Sequence, residues 1–169
     1  MQTRGLPLAY VMTAGNQAQT GLSDIACAVL EDPRVTAVGL HIEGFDSIAA
    51  LERLATRARE LGKPVVTLKV GKSEAAQLAT VSHTASLAGN DRVSSALLAR
   101  LGIGRVDTLP ALLETLKLLH VAGPLESNDI SSMSCSGGEA SLMADAGERY
   151  RVNYRPLRDE QRKPLRDAL

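Results

Sequence analysis

Apolar residues fall along this chain in short continuous runs, separated by stretches in which they recur every three or four positions. Leu6 to Thr13 is such a run, stopped by Ala14-Gly15-Asn16, and predicts a buried strand with its turn. Asp24 to Glu31 places Ile25, Val29 and Leu30 at helical spacing and ends before Pro33. Val35 to Ile42 is a second run rich in β-branched residues, closed by Glu43-Gly44. Asp46 or Ser47 can cap the next helix, whose face reads Ile48, Leu51, Leu54 or Ala55, Ala58 and Leu61 before Gly62 ends it.

The third run, Pro64 to Val70, stops at Gly71. A loop of small and hydroxylated residues around His83 follows, and Asp91 is expected to cap a helix with Val93, Leu97, Leu98 and Leu101 on its apolar face. Ile103 to Val106 reads as a short strand. Thr108 and Pro110 open a helix to about His120, because proline is tolerated in a first helical turn. Continuous apolar strands alternating with helices predict a parallel sheet covered on both faces. Ligands gather at the carboxyl ends of such strands, where both Glu43 and the His83 loop lie.

Val121-Ala122-Gly123-Pro124 breaks the pattern. The expected organisation is one domain over residues 1–122 and the start of a second over 123–169. The second opens with a weak strand, Asp129 to Ser134, the glycine turn Cys135-Ser136-Gly137-Gly138 and a helix from Glu139 to Arg149. Exposed amides at such a helix start suit an anion. A polar, basic tail holds one more helix, Asp159 to Ala168. So little regular structure in the second unit marks the chain as a segment of a longer protein.

Composition narrows the function. Nineteen basic and nineteen acidic residues balance, and aromatics make up 2% of the chain. Neither electrostatic capture of nucleic acid nor stacking of bases is expected. Cys27 and Cys135 belong to no metal-binding spacing, so no metal site is expected, and two unpaired thiols fit a cytoplasmic protein. No apolar run reaches the roughly 18 residues a membrane span needs. Gly71-Lys72-Ser73 ends like a P-loop, but Val66 stands where that pattern requires glycine. His41 reads as a packed or edge histidine, and His120 as a favourable residue at a helix end.

Five segments, in collinear order, resemble the NDP-forming acyl-CoA synthetases, relatives of the α subunit of succinyl-CoA synthetase. They are Gly15-Asn16-Gln17, His41-Ile42-Glu43-Gly44, Lys69 to Ala75, Ser82 to Gly89, and Cys135-Ser136-Gly137-Gly138 through Asp145. The run Ser82-His83-Thr84-Ala85-Ser86-Leu87-Ala88-Gly89 is the most specific of them, with Ala85 where the family usually has glycine. Lys72 likewise replaces a usual arginine.

The resemblance implies an α/β fold. The first unit would be an incomplete flavodoxin-like parallel sheet with helices on both faces, followed by the start of a second such unit. It also implies acyl-CoA formation from a small carboxylic acid, CoA and ATP or GTP with Mg²⁺, through a phosphohistidine. His83 would carry the phosphoryl group, and Glu43 would orient it. Ser136, Gly137 and Gly138 would bind phosphate facing the same anion site, while Ser82, Thr84 and Gly89 support the loop. The family's CoA-binding and ATP-grasp domains are the implied partners, on one polypeptide or as a subunit, and a homo-oligomer is compatible. No cofactor is assigned to the segment by itself. Two other readings are a non-catalytic domain of the same fold, as in protein acyltransferase fusions, and a flavin or nucleotide binder. The scarcity of aromatics argues against flavin.

Overall fold

The computed structural model describes residues 5–15, 17, 19–73, 76 and 90–168. The chain divides into two compact units, residues 1–124 and 125–169. In the first, the described elements are α1 (Leu22–Leu30), β1 (Val38–Ile42), α2 (Ile48–Glu60), β2 (Val65–Lys69), α3 (Asp91–Leu101), β3 (Gly104–Val106) and α4 (Leu109–Ala122).

The three strands form a parallel sheet in the order β1-β2-β3. Val38 lies opposite Val65 and Ile42 opposite Lys69, while Val66 to Leu68 face Gly104 to Val106. Alternation along β2 sorts its side chains between two clusters. Val65 packs with α1, α2 and α3, whereas Val66 and Leu68 pack beneath Leu112, Leu116 and Leu119 of α4. Helices therefore cover both faces, which is why every residue of β2 is buried. On β1 the close approach of α4 depends on Gly39, where a Cβ would stand 2.6 Å from Leu116 Cδ1. This is the flavodoxin-like α/β arrangement expected from the sequence.

Local chemistry sets the helix ends. Ser47 Oγ accepts from Ala50 N (3.0 Å) and Thr108 Oγ1 from Ala111 N (3.2 Å), each taking an amide with no intrahelical partner. Gly62 at φ +64° turns the chain out of α2, and Lys63 N reaches back to Ala58 O.

Three details differ from the pattern. Asn90, not Asp91, caps α3, its Oδ1 accepting from Arg92 N and Val93 N. Val93 is 65% exposed, because the helix turns Ser94 and Leu98 inward instead. Leu6 to Thr13 forms no strand and only Leu6 is buried, since no backbone group bonds to it among the described residues. An extended run becomes a strand only beside a neighbour that exchanges hydrogen bonds with it.

In the second unit β4 (Asp129–Ile130) pairs in parallel with β5 (Asn153–Tyr154), and the helices are α5 (Gly137–Tyr150) and α6 (Asp159–Ala168). The strand expected to run to Ser134 is two residues long, and its polar partner β5 has no apolar signal in the sequence. Gly137 and Gly138 lie inside the first turn of α5 and not before it. Gly147 is the one buried residue described in this unit, covered by the Tyr154 ring.

Candidate functional site

Chemistry-bearing residues of the first unit collect where its strands end. Beyond Ile42, β1 delivers Glu43, Gly44, Phe45 and Asp46. Phe45 is half-buried against the core. Asp46 is held harder: its carboxylate accepts from Ser23 N (2.8 Å), Ser23 Oγ (2.7 Å) and Ser47 N (2.9 Å). Ser23 lies in the first turn of α1, whose N-cap Gly21 has no side chain to offer, so Asp46 caps α1 from across the loop. Burial alone would raise the Asp46 pKa, but the bonds from Ser23 and Ser47 outweigh it and leave the carboxyl below its ordinary value. Sequence spacing offered Asp46 as a cap for α2 and missed this longer reach. Glu43, three residues earlier, is exposed, and its carboxylate has no hydrogen bond or ion pair among the described residues.

At the end of β2, Lys69 is 2% exposed and its Nζ donates to Val70 O at 2.6 Å. Burial lowers its pKa, Arg105 lowers it further, and Asp91 and Glu43 oppose the shift. The apolar run Pro64 to Val70 gave no sign that its lysine is buried. Gly71 then takes φ +79°, and Lys72 forms an ion pair with Asp107, just past β3. From β3, Arg105 bonds the Asp91 carboxylate at 2.5 Å and the Ser95 hydroxyl of α3. The exits of β2 and β3 and the start of α3 are thus tied into one polar network. Buried nearby, Thr67 Oγ1 on β2 and Arg105 Nε have no hydrogen-bond partner among the described residues.

The described chain leaves this edge at Ser73 and returns at Asn90, apart from Ala76. His83, Ser82, Thr84 and Gly89 lie outside the described residues. His41 sits exposed on the edge strand, and His120 Nδ1 lies 2.8 Å from Thr36 Oγ1. No group of three or more metal-ligating side chains occurs among the described residues, and Cys27 and Cys135 are free thiols. Among the described residues no helix is long and apolar enough to cross a membrane.

In the second unit the glycine turn forms a capping box. Ser136 Oγ accepts from Glu139 N (3.2 Å), and the Glu139 carboxylate accepts from Cys135 N (3.2 Å) and from its thiol. The helix start expected to receive an anion therefore already has a carboxylate beside it.

Residues 1–119 match the family described as the succinyl-CoA ligase like flavodoxin domain. The chain belongs to this family. Over its whole length it is 28% identical to a trans-feruloyl-CoA synthase from an unknown prokaryotic organism, of which it covers 24%. It is 30% identical over 161 residues to an ADP-forming acetate–CoA ligase of Methanocaldococcus jannaschii, covering 94% of this chain and 22% of that protein. The chain thus spans about a quarter of the length of these curated relatives. Among solved structures, an acetyl-coenzyme A synthetase 1 of Ca. Korarchaeum cryptofilum, in complex with phosphate and ADP, shares the fold. Its TM-score is 0.68 at 20% identity, covering 79% of this chain and 29% of that one.

Proposed function

We propose that this chain is the histidine-bearing segment of an ADP-forming acyl-CoA ligase, with His83 as phosphoryl carrier and Glu43 as the carboxylate that orients it. The observation that supports this most is the position of Glu43. It stands at the carboxyl end of β1, its carboxylate without a hydrogen bond or ion pair among the described residues, on the sheet edge where the described chain leaves at Ser73 and returns at Asn90. In parallel sheets this edge is where ligands bind.

The chemistry follows from an imidazole whose second nitrogen is held by a carboxylate. Accepting that N–H fixes the tautomer, so the other nitrogen presents its lone pair to phosphorus. The imidazole nitrogen attacks the γ-phosphorus of a nucleoside triphosphate and the diphosphate leaves. A carboxylate oxygen of the acid then attacks the phosphorus of phosphohistidine, and the imidazole leaves. Finally the CoA thiolate attacks the acyl carbon and phosphate departs. Charge neutralisation at the phosphoryl group falls to helix-start amides and to Mg²⁺ carried by the nucleotide, and Ser136, Gly137 and Gly138 are the candidate phosphate-binding helix start of the second unit. CoA-binding and ATP-grasp domains, on the same polypeptide or as a subunit, complete the ligase. The acid belongs to the class represented by the relatives' names, from acetate to a phenylpropenoate.

The test is labelling of the intact ligase from γ-³²P nucleotide. His83→Ala should abolish both label and ligase turnover with an unchanged melting temperature. Glu43→Gln should slow phosphorylation by several orders of magnitude and leave the histidine present, as when an orienting carboxylate is lost elsewhere. Undiminished label in His83→Ala refutes the carrier; an unchanged rate in Glu43→Gln refutes only the pairing.

A further inference from the structure

Where the chain leaves the sheet edge after β2, and where it returns to α3, it is held by the same short strand. At the departure the last ladder bond of β2 runs from Val70 N to Ile42 O (3.0 Å), and Gly71 turns the chain at φ +79°. Lys72 then pairs with Asp107, the residue that follows β3. Ser73 Oγ accepts from Ala76 N (3.2 Å), so the next turn starts directly from this foot. At the return, Arg105 of β3 donates to the Asp91 carboxylate (2.5 Å), to Asp91 O (3.4 Å) and to the Ser95 hydroxyl. Two positions apart on one strand, a base grips the returning acid and an acid grips the departing base.

The two clamps differ in strength. The Arg105 side chain is 14% exposed, and its planar fork meets three acceptors at once. Lys72 and Asp107 are exposed, and an ion pair in water adds little to folding stability. The Lys72 hydrogen bond, then its charge and that of Arg105, hold the Asp107 carboxyl below its ordinary value, so the pair is ionised at neutral pH. Its effect is directional. Glycine leaves the course of the chain open, and the contact one residue after Gly71 fixes it against β3. Asp107 is itself placed by α4, because the neighbouring Thr108 caps that helix.

We propose that Asp107 and Arg105 are positioning residues for phosphoryl transfer: from β3 they fix both feet of the chain that carries His83, at Lys72 and at Asp91, and so set where the imidazole is presented. A nucleophile must stand roughly 3–3.5 Å from the atom it attacks, so constraining its supports removes unproductive geometries in advance. That the clamped chain carries a phosphoryl acceptor rests on the function proposed above. The clamps themselves rest on the contacts of β3 and not on His83.

The intact ligase tests this by single-turnover labelling from γ-³²P nucleotide. Asp107→Asn and Lys72→Met each release the departing foot and should slow labelling about 10- to 100-fold, the cost of misplacing a reacting group by about an ångström. The double variant should be no slower than either single one, because all three lack the same interaction. The nucleotide concentration giving half the maximal rate should not move. Lys72→Arg keeps the charge and should recover most of what Lys72→Met loses, whereas Arg105→Lys cannot reproduce the fork and should label slowly. Trypsin adds a readout that ignores phosphorylation: Asp107 withholds the Lys72 side chain from the protease, so Asp107→Asn should be cut faster after Lys72. Parental labelling rates in Asp107→Asn and Lys72→Met, additive losses in the double variant, or parental cleavage after Lys72 overturn the proposal. Label persisting in His83→Ala refutes the carrier and this role together, and faster cleavage of Asp107→Asn then still reveals the clamp, so the two failures are told apart.

Discussion

Asp46 and Ser23 are joined twice, the carboxylate accepting both the amide (2.8 Å) and the hydroxyl (2.7 Å) of a serine at the start of another helix. The loop that presents Glu43 is therefore pinned at its far end to α1, so the candidate carboxylate rests on a fixed base. Replacing Asp46 with alanine should cost about 1 kcal/mol, the usual size of a lost helix cap. The acid dependence gives a second readout. The folded carboxyl titrates below its ordinary value of 3.8. Its contribution is thus full above that value and disappears as pH falls through it toward the folded pKa. Asp46→Asn should flatten this limb of the stability curve, measured by urea melts between about pH 5 and pH 2.5. An unchanged acid limb would show that the carboxylate charge does not contribute.

Lys69 gives the opposite sign at the alkaline end. Its folded pKa lies below the ordinary 10.5, so at neutral pH the protein bears the cost of burying an ammonium group. Between the folded and the ordinary value the unfolded chain binds more protons, and stability rises with pH. Lys69→Met carries no such cost. The stability of the methionine variant relative to the parent should fall as pH rises through the folded value toward 10.5; a constant difference would mean that the ammonium is not penalised.

Asn90 anchors the return of the chain to the sheet edge by capping α3. Asn90→Ala should destabilise the first unit by about 1 kcal/mol, and Asn90→Ser should recover most of it. Equal losses in both would assign the effect to something other than the cap.

At Gly147 helix propensity and packing compete. Alanine is favoured in a helix by about 1 kcal/mol over glycine, yet its Cβ would collide with the Tyr154 ring. Gly147→Ala should destabilise the parent chain and stabilise a Tyr154→Ala background. A mutant cycle read by denaturation tests that reversal of sign.

The Glu139 carboxylate occupies the helix start proposed for phosphate. Glu139→Gln keeps an acceptor for Cys135 N and removes the charge. It should tighten inorganic phosphate binding about 2- to 5-fold in calorimetry, the effect of one charge at a helix terminus. Weaker or unchanged binding would place the phosphate elsewhere.

The sheet was legible because β2 and β1 are apolar runs bounded by turn residues, and Glu43 because it follows such a run directly. What escaped the reading depended on partners distant in sequence. Leu6 to Thr13 has the composition of a strand without a paired neighbour, whereas Asn153 and Tyr154 lack that composition and pair through backbone and the Asn153 amide. Val93 fits a helical stripe by spacing, but the phase of α3 is set by Ser94 and Leu98, which a hydrophobicity pattern ranks in the wrong order. Asp46 reached twenty-three residues back for Ser23, and no local motif encodes that distance.

The second unit buries no apolar side chain among its described residues, while Met133, Leu142 and Tyr150 are largely exposed. A segment of this kind resists proteases only through backbone hydrogen bonds and helix caps, because no packed interior has to be opened before a peptide bond enters an active site. Arginines and lysines are frequent between Arg149 and Arg166, so trypsin at low dose should trim the chain from this side first and leave the parallel sheet as the surviving fragment. If the further domains proposed above cover this surface, their presence should slow the digestion in proportion to the area they shield.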